Sequence, residues 1–307
     1  MDLFERKELS PMLIAQMQEP FSDEDWIYEL KLDGCRCLGY FDDGKVWLRN
    51  KRNLELLPRF PELEGTGGRV EGKRILDGEL VVLKNGTPDF YELQRRTLLT
   101  DKFKIRMAAS MYPTSFVVFD CLYADRKQTM DKPLLSRKEY LRESVKEDAR
   151  IAVSRFIPAD GAGLFRLADE RELEGVVAKR NGSLYYPGKR TKDWVKFKRM
   201  ADEDFVACGY VEKKEKAYSI ILGKPDRGGF VYKGHVTLGV TAAAIKNLRR
   251  WPGQPYMAYP PGPGNELAVW VYPEKVCTVE YMPNTKNSLR QAVFKGFRED
   301  MLPEDVE

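Results

Sequence analysis

The sequence predicts an α+β protein of two domains, the first mixed strand and helix, the second a small β-barrel. Three observations predict it. The chain has 307 residues, enough for two separate hydrophobic cores. Up to Arg199, apolar strand-like runs alternate with charged helical stretches. Beyond Arg199 the texture changes to short β-rich segments with a single helical stretch, which places a boundary near Arg199-Met200-Ala201 and gives domains of 1–200 and 201–307.

Residues 26–50 read as a strand meander. Trp26-Ile27-Tyr28-Glu29-Leu30 leads into a bend at Lys31-Leu32-Asp33-Gly34-Cys35-Arg36, Leu38-Gly39-Tyr40-Phe41 returns, and Asp42-Asp43-Gly44 makes the next turn. Pro58 and Pro61 punctuate a loop. Residues 74–83 form an apolar strand that carries two acids, Asp77 and Glu79, and ends in an Asn85-Gly86 turn. A helix is expected over 89–110, a buried strand over 115–123, and a charged helix over 133–148 with Pro133 at its start, where proline is tolerated. Two more strands are expected at 173–180 and 193–198. In the second domain, strands are expected at 205–211, 217–223, 229–240, 267–272 and 276–282, with a helix at 241–250 and a Pro/Gly-rich loop at 252–264. Five short strands with one helix suggest a barrel of the oligonucleotide-binding type.

Composition narrows the function. No apolar run is long enough to cross a bilayer, and the N-terminal residues are charged and lack a signal-peptide core, so a cytoplasmic chain with no membrane partner is expected. The five cysteines are odd in number and scattered, which argues against a disulfide framework. With one histidine, His235, a zinc site and histidine-based acid–base chemistry are both poor fits. The net charge is only +4, but residues 179–199 hold eight basic residues and one acid, interleaved with Tyr185, Tyr186, Trp194 and Phe197. That mixture suits a phosphate-rich partner, and equally a solvated basic surface.

A lysine at a bend, such as Lys31, becomes a covalent nucleophile when positive charge or desolvation lowers its pKa. Alone, the hexapeptide around it also fits a charged surface hairpin. Apolar strands seldom carry charges without purpose, yet Lys31 and Asp33, Glu79, Glu174, and Lys196 with Lys198 all lie on such strands. Lys196 and Lys198 are two apart and so share one face. Converging acids and lysines are what metal-assisted phosphate chemistry needs: acids hold the cation, and lysines neutralise phosphate oxygens.

In order along the chain stand Lys31-Leu32-Asp33-Gly34-Cys35-Arg36, Arg49-Asn50, Asp77-Gly78-Glu79-Leu80, Val118-Phe119-Asp120, Glu174-Gly175-Val176-Val177-Ala178-Lys179 and Trp194-Val195-Lys196-Phe197-Lys198. On these motifs the chain resembles the ATP-dependent DNA ligases, within the covalent nucleotidyltransferases that include RNA capping enzymes. Phe90-Tyr91-Glu92-Leu93-Gln94-Arg95-Arg96 and Tyr186-Pro187-Gly188-Lys189-Arg190 resemble the ligase domain of the bacterial end-joining branch. The resemblance implies a nucleotidyltransferase (adenylation) domain, with ATP-grasp-like antiparallel sheets and helices, followed by an OB-fold.

It further implies a lysyl-AMP intermediate on Lys31, from which AMP passes to the 5′-phosphate of a nick before the 3′-hydroxyl closes it. The cofactors implied are ATP and Mg²⁺ or Mn²⁺. Lys196 and Lys198 contact the α-phosphate, Glu174 holds the metal, Glu79 holds the ribose hydroxyls or the metal, and Phe119 stacks on adenine. Glu29 borders the adenine edge and Val177 its other face, while Asp33 acts on metal or the 3′-hydroxyl. Arg36 binds cofactor phosphate or sugar and DNA, and Arg49 and Arg298 bind DNA, Arg49 at the 5′-phosphate of the nick. The partners implied are nicked duplex DNA and separate end-joining proteins, with a monomeric chain whose barrel swings about residues 199–202. An RNA ligase or capping-type enzyme is the enzymatic alternative, and a non-catalytic nucleic-acid-binding protein the other. Two departures stand out. Leu48 replaces the usual serine before Arg49, and Met301 replaces the lysine that normally follows Asp300.

Overall fold

A computed structural model describes residues 2–15, 17–84, 86–213, 217–259, 265–283 and 289–306, which form two compact units, Met1–Lys198 and Arg199–Glu307. Asn85 of the expected turn and residues 260–264 of the expected loop lie outside the described residues.

The first unit is built on two sheets. A four-stranded antiparallel sheet runs in the order Phe156–Pro158, Trp26–Leu30, Gly175–Arg180, Trp194–Lys198. Alternation gives it two distinct faces. Tyr28, Val176, Ala178, Val195 and Phe197 pack under Leu164 and Ala168 of the helix Gly161–Glu170. The opposite face carries Ile27, Glu29, Val177, Lys179, Trp194 and Lys196. A seven-stranded sheet takes Cys35–Asp42 as a central strand, paired to Lys45–Asn50 on one side and Arg74–Lys84 on the other, with Thr114–Ala124 beyond. One apolar cluster, with Leu38, Tyr40, Ile75, Phe119, Ile27 and Trp194, joins the inner faces of the two sheets.

The expected meander is therefore corrected. Trp26–Leu30 does not fold back onto Cys35–Asp42; the two strands belong to different sheets, and residues 31–34 are the crossing between them. Lys31 and Asp33 thus lie in a connection rather than on a strand, and Glu174 immediately precedes its strand. Gly34 permits the crossing, because a Cβ there would stand 2.2 Å from the Leu80 carbonyl oxygen.

The expected helix 89–110 is two helices, Phe90–Thr97 and Lys102–Met111. Asp101 restarts the second by accepting a hydrogen bond from Lys104 N at 2.8 Å. The charged helix stops at Leu134–Ser144, where Val145 turns extended and bridges to Val70. Among the described residues, no helix is long and apolar enough to cross a membrane. All five cysteines are free.

The second unit is an antiparallel sheet in the order Gly229–Val236, Tyr218–Asp226, Ala201–Glu212, Val276–Met282, Arg290–Arg298, with Val269–Trp270 added to Ala201–Glu212. The Phe294 N–H donates to the Leu238 carbonyl at 2.8 Å, tying the first edge to the last and closing the sheet around Phe205, Ile220, Leu222, Val236 and Cys277. The helix in this unit is only Ala242–Lys246, capped by Thr241. Arg290–Arg298 is a further strand where the sequence shows none. Its pairing slips twice against Val276–Met282, which erases the alternation that marks a strand. Met301, in place of the lysine, packs against an apolar cluster of this unit that includes Val276 and Val306.

Candidate active site

The crossing from one sheet to the other puts Lys31 at the mouth of a pocket lined by both. Its backbone N–H donates to the Gly175 carbonyl at 2.8 Å, which pins the crossing to the strand that follows Glu174. The Lys31 Nζ donates to Glu174 Oε2 at 2.8 Å, and Lys198 Nζ lies 3.2 Å from Glu174 Oε1. One buried carboxylate is thus shared by two ammonium groups. Lys196 shares the strand face with Lys198, its neighbours Val195 and Phe197 being buried on the other side. Burial and the Lys31 charge lower the Lys196 pKa. Burial lowers that of Lys198 too, against the pull of Glu174.

Deeper in the pocket, Glu29, Val177 and Lys196 lie in one cross-strand row. Glu29 is 2 % exposed, yet it is held below the ordinary carboxylate range. Burial would raise its pKa, but Lys138 at 2.6 Å and Lys179 at 3.1 Å outweigh burial. Lys179 is itself buried, which brings its pKa down to about 8 despite Glu29.

The seven-stranded sheet supplies the other wall. Arg36 pairs across strands with Glu79 and sends two hydrogen bonds, each 2.6 Å, to Asp77. Asp77 also accepts from Tyr185 Oη at 2.6 Å. The Arg36 guanidinium sits 4.5 Å from the centre of the Phe119 ring, and Lys179 Nζ sits 4.1 Å from it. Phe119 therefore forms a pocket wall whose ring is flanked by two cations. Burial pushes Glu79 up to about 8, only partly offset by Arg36 and Lys31, so it is largely protonated at neutral pH.

The structure thus brings together Lys31, Glu174, Lys196 and Lys198 as one cluster, and Glu29, Lys31, Arg36, Glu79, Phe119 and Val177 around one pocket. Asp33 is half-buried in the connection beside them. Arg49 lies on Lys45–Asn50, with its buried Nε–H lacking an acceptor in the structure. Arg298 lies on the last strand of the second unit, paired with Asp300 and Asp204. Residues without a role in the sequence reading support the first unit's site. Asp77, Tyr185 and Trp194 are named there only as part of a strand, motif or basic stretch, Lys138 and Ser154 are not named, and Lys179 is a buried group rather than part of a basic surface. Lys179 and Asp77 sat inside quoted motifs; Lys138 and Ser154 carried no local signal. Among the described residues, no cluster of three or more His, Cys, Asp or Glu side chains is placed to hold a metal.

Residues 11–198 match the family model of the ATP-dependent DNA ligase domain, and residues 213–301 that of the ATP-dependent DNA ligase C-terminal region. The chain is 34 % identical to the multifunctional non-homologous end joining protein LigD of Pseudomonas aeruginosa, over 97 % of this chain but only 36 % of that protein. It is 32 % identical to DNA ligase C1 of Mycolicibacterium smegmatis, over 96 % of this chain and 89 % of the relative. A solved structure of mycobacterial DNA ligase D complexed with ATP and MES superimposes with a TM-score of 0.57 at 27 % identity, covering 98 % of each chain. The chain spans little more than a third of the length of the Pseudomonas relative.

Proposed function

The chain belongs to the ATP-dependent DNA ligases, a nucleotidyltransferase unit followed by an OB-fold barrel, and from that premise we propose that it seals 5′-phosphate/3′-hydroxyl nicks in duplex DNA through a lysyl-AMP on Lys31. One observation carries the proposal: Lys31 Nζ is fixed 2.8 Å from Glu174, beside Lys198 and at the mouth of a pocket whose inner end carries the ionised Glu29.

Lys31 gives up its ammonium proton to solvent and attacks the α-phosphorus of ATP; a P–N bond forms, the nitrogen loses a second proton, the bond to the bridging oxygen breaks, and pyrophosphate leaves. A 5′-phosphate oxygen of the nick then attacks the same phosphorus, breaking the P–N bond, and the departing amine takes its protons back to return Lys31 as an ammonium. The 3′-hydroxyl, losing its proton, attacks the activated 5′-phosphate and expels AMP. Lys196 and Lys198 meet the charge that gathers on the α-phosphate, and their positions on a strand of the sheet mean they need little reorganisation to do so. Glu79, in the pocket lining, holds the ribose hydroxyls. Phe119 and Val177 bound the base, and Arg36, held by Asp77, serves the pocket rather than DNA. Arg49, on the strand Lys45–Asn50, and Arg298, on the last strand of the second unit, contact DNA phosphate.

The Glu174 carboxylate, with its hard oxygen donors, would hold a divalent cation beside the nucleotide phosphates, exchanging for it part of its present pairing with Lys31 and Lys198. When bound, Mg²⁺ or Mn²⁺ would neutralise phosphate charge. We assign the chain to end joining or repair.

The test is incubation with α-labelled ATP and Mg²⁺ or Mn²⁺, followed by singly nicked duplexes with DNA or RNA strands. Label on the protein that Lys31→Ala abolishes, and that chases into sealed DNA, is expected. No label with either cation, or label retained by Lys31→Ala, overturns the proposal.

A further inference from the structure

The pocket's buried acid, Glu29, is held from behind the pocket lining as well as from within it. Lys138 stands behind it, on the helix Leu134–Ser144, and its side chain is 7 % exposed. Its Nζ lies 2.6 Å from Glu29 Oε1 and 3.0 Å from the carbonyl oxygen of Phe119. Glu29 belongs to the four-stranded sheet and Phe119 to the seven-stranded one, so a single ammonium ties together the two pocket walls. The carboxylate is used asymmetrically. Oε1 takes both Lys138 and Lys179, whereas Oε2 takes only Ser154 Oγ at 2.9 Å and keeps a lone pair available.

We propose that Lys138 is a positioning residue for base selection: by fixing the Glu29 carboxylate as an acceptor and holding Phe119 at its backbone, it makes the pocket take a base with a 6-amino donor and refuse a 6-oxo base. The inference rests on the assignment of this pocket to ATP and deepens it. An ionised carboxylate accepts from the 6-amino group of adenine. Against the 6-oxo group of guanine it meets another acceptor with no proton between them, a penalty that grows as the site is desolvated. Lys138 touches neither the nucleotide nor the reacting atoms. Its effect passes through Glu29 and Phe119, so it should appear chiefly in nucleotide affinity and choice, and little in the maximal rate of the step that joins the strands.

The test uses the full chain and three variants, Lys138→Met, Lys138→Arg and Ser154→Ala. Three readouts are taken: KM and kcat for lysine labelling with ATP and with GTP, and the rate of sealing a nick that already carries 5′-AMP, measured at saturating DNA without free nucleotide. For Lys138→Met, the loss of a charge-assisted contact predicts a KM for ATP raised about 10- to 100-fold and an ATP-over-GTP preference reduced by a similar factor. The saturated sealing rate should change far less than either. Lys138→Arg restores most of the preference, and Ser154→Ala, which leaves Lys138 in place, loses less of it. A Lys138→Met protein that seals the pre-adenylylated nick normally but keeps the wild-type KM and preference overturns the role. If Lys138→Met does not fold, a Lys138→Arg protein that seals normally yet loses the preference as fully as a charge deletion would overturns it too. If the wild-type chain takes no label from ATP at all, it is the underlying assignment of the pocket that fails, which is a different outcome.

Discussion

Asp77 offers the sharpest test of what holds the pocket together. Its carboxylate is fully buried and accepts two hydrogen bonds from Arg36 and one from Tyr185, each 2.6 Å long. The Arg36 side chain is itself only 17 % exposed. Asp77→Ala leaves a mostly buried guanidinium with no counter-charge and a buried phenol with no acceptor. Removing one partner of a buried pair costs about 3–5 kcal/mol, because the remaining charge stays desolvated. For a unit of this size, each kcal/mol lowers Tm by about 2–4 °C, so a fall of about 6–20 °C is expected. Asp77→Ala should also weaken ATP binding, since Arg36 would no longer be held against Phe119. The assay is thermal unfolding of the full chain, followed by circular dichroism, for Asp77→Ala, Arg36→Met and the double variant Arg36→Met/Asp77→Leu. Replacing the whole pair by apolar groups removes the orphaned charge, so the double variant should recover much of the loss. A Tm drop below about 2 °C in Asp77→Ala, or a double variant no more stable than Asp77→Ala, would refute the reasoning.

Two further outcomes are expected. Gly34→Ala would place a Cβ 2.2 Å from the Leu80 carbonyl oxygen and 2.7 Å from Glu79 Cγ, so the crossing that carries Lys31 must move; labelling with ATP should slow by about 100-fold, and an unchanged rate would show that the crossing is not fixed there. Glu79 is raised from 4.5 to about 8, so between those values it binds more proton in the folded chain than in the unfolded one, and its contribution to stability falls as pH rises. Gln does not titrate, so Glu79→Gln should gain stability on the wild type between pH 5 and pH 8; parallel melts giving the same difference at both pH values would contradict this.

The parts of the site that could be read along the chain are those that depend on local geometry. Lys196 and Lys198 share a face because a strand alternates, and they do so in the structure. Glu174 and the crossing at Lys31–Gly34 carry charges and a glycine in an apolar setting, which marks them without reference to any partner. The strand Arg290–Arg298 escaped because its pairing slips between Thr278 and Val279 and again between Glu280 and Met282, so no period of two survives. The split in the helix 89–110 was signalled by Asp101, a good cap, but capping competes with a helical pattern that runs through it.

Local order along the chain was enough to list the chemical groups: a lysine beside a glycine bend, an acid and two further lysines at or next to strands, in an order that resembles one family. How each charge is answered follows from the packing of the sheets. Nothing near Lys31 in the chain says that its strand and the next lie in different sheets, or that Glu174, 143 residues away, sits 2.8 Å from its amine. Nor does the helix 134–144 show that one of its lysines reaches Glu29 and the Phe119 backbone at once. Alternation is a property of neighbours along a strand, whereas charge pairing is a property of neighbours across sheets, and desolvation makes the second kind the stronger constraint in a buried pocket.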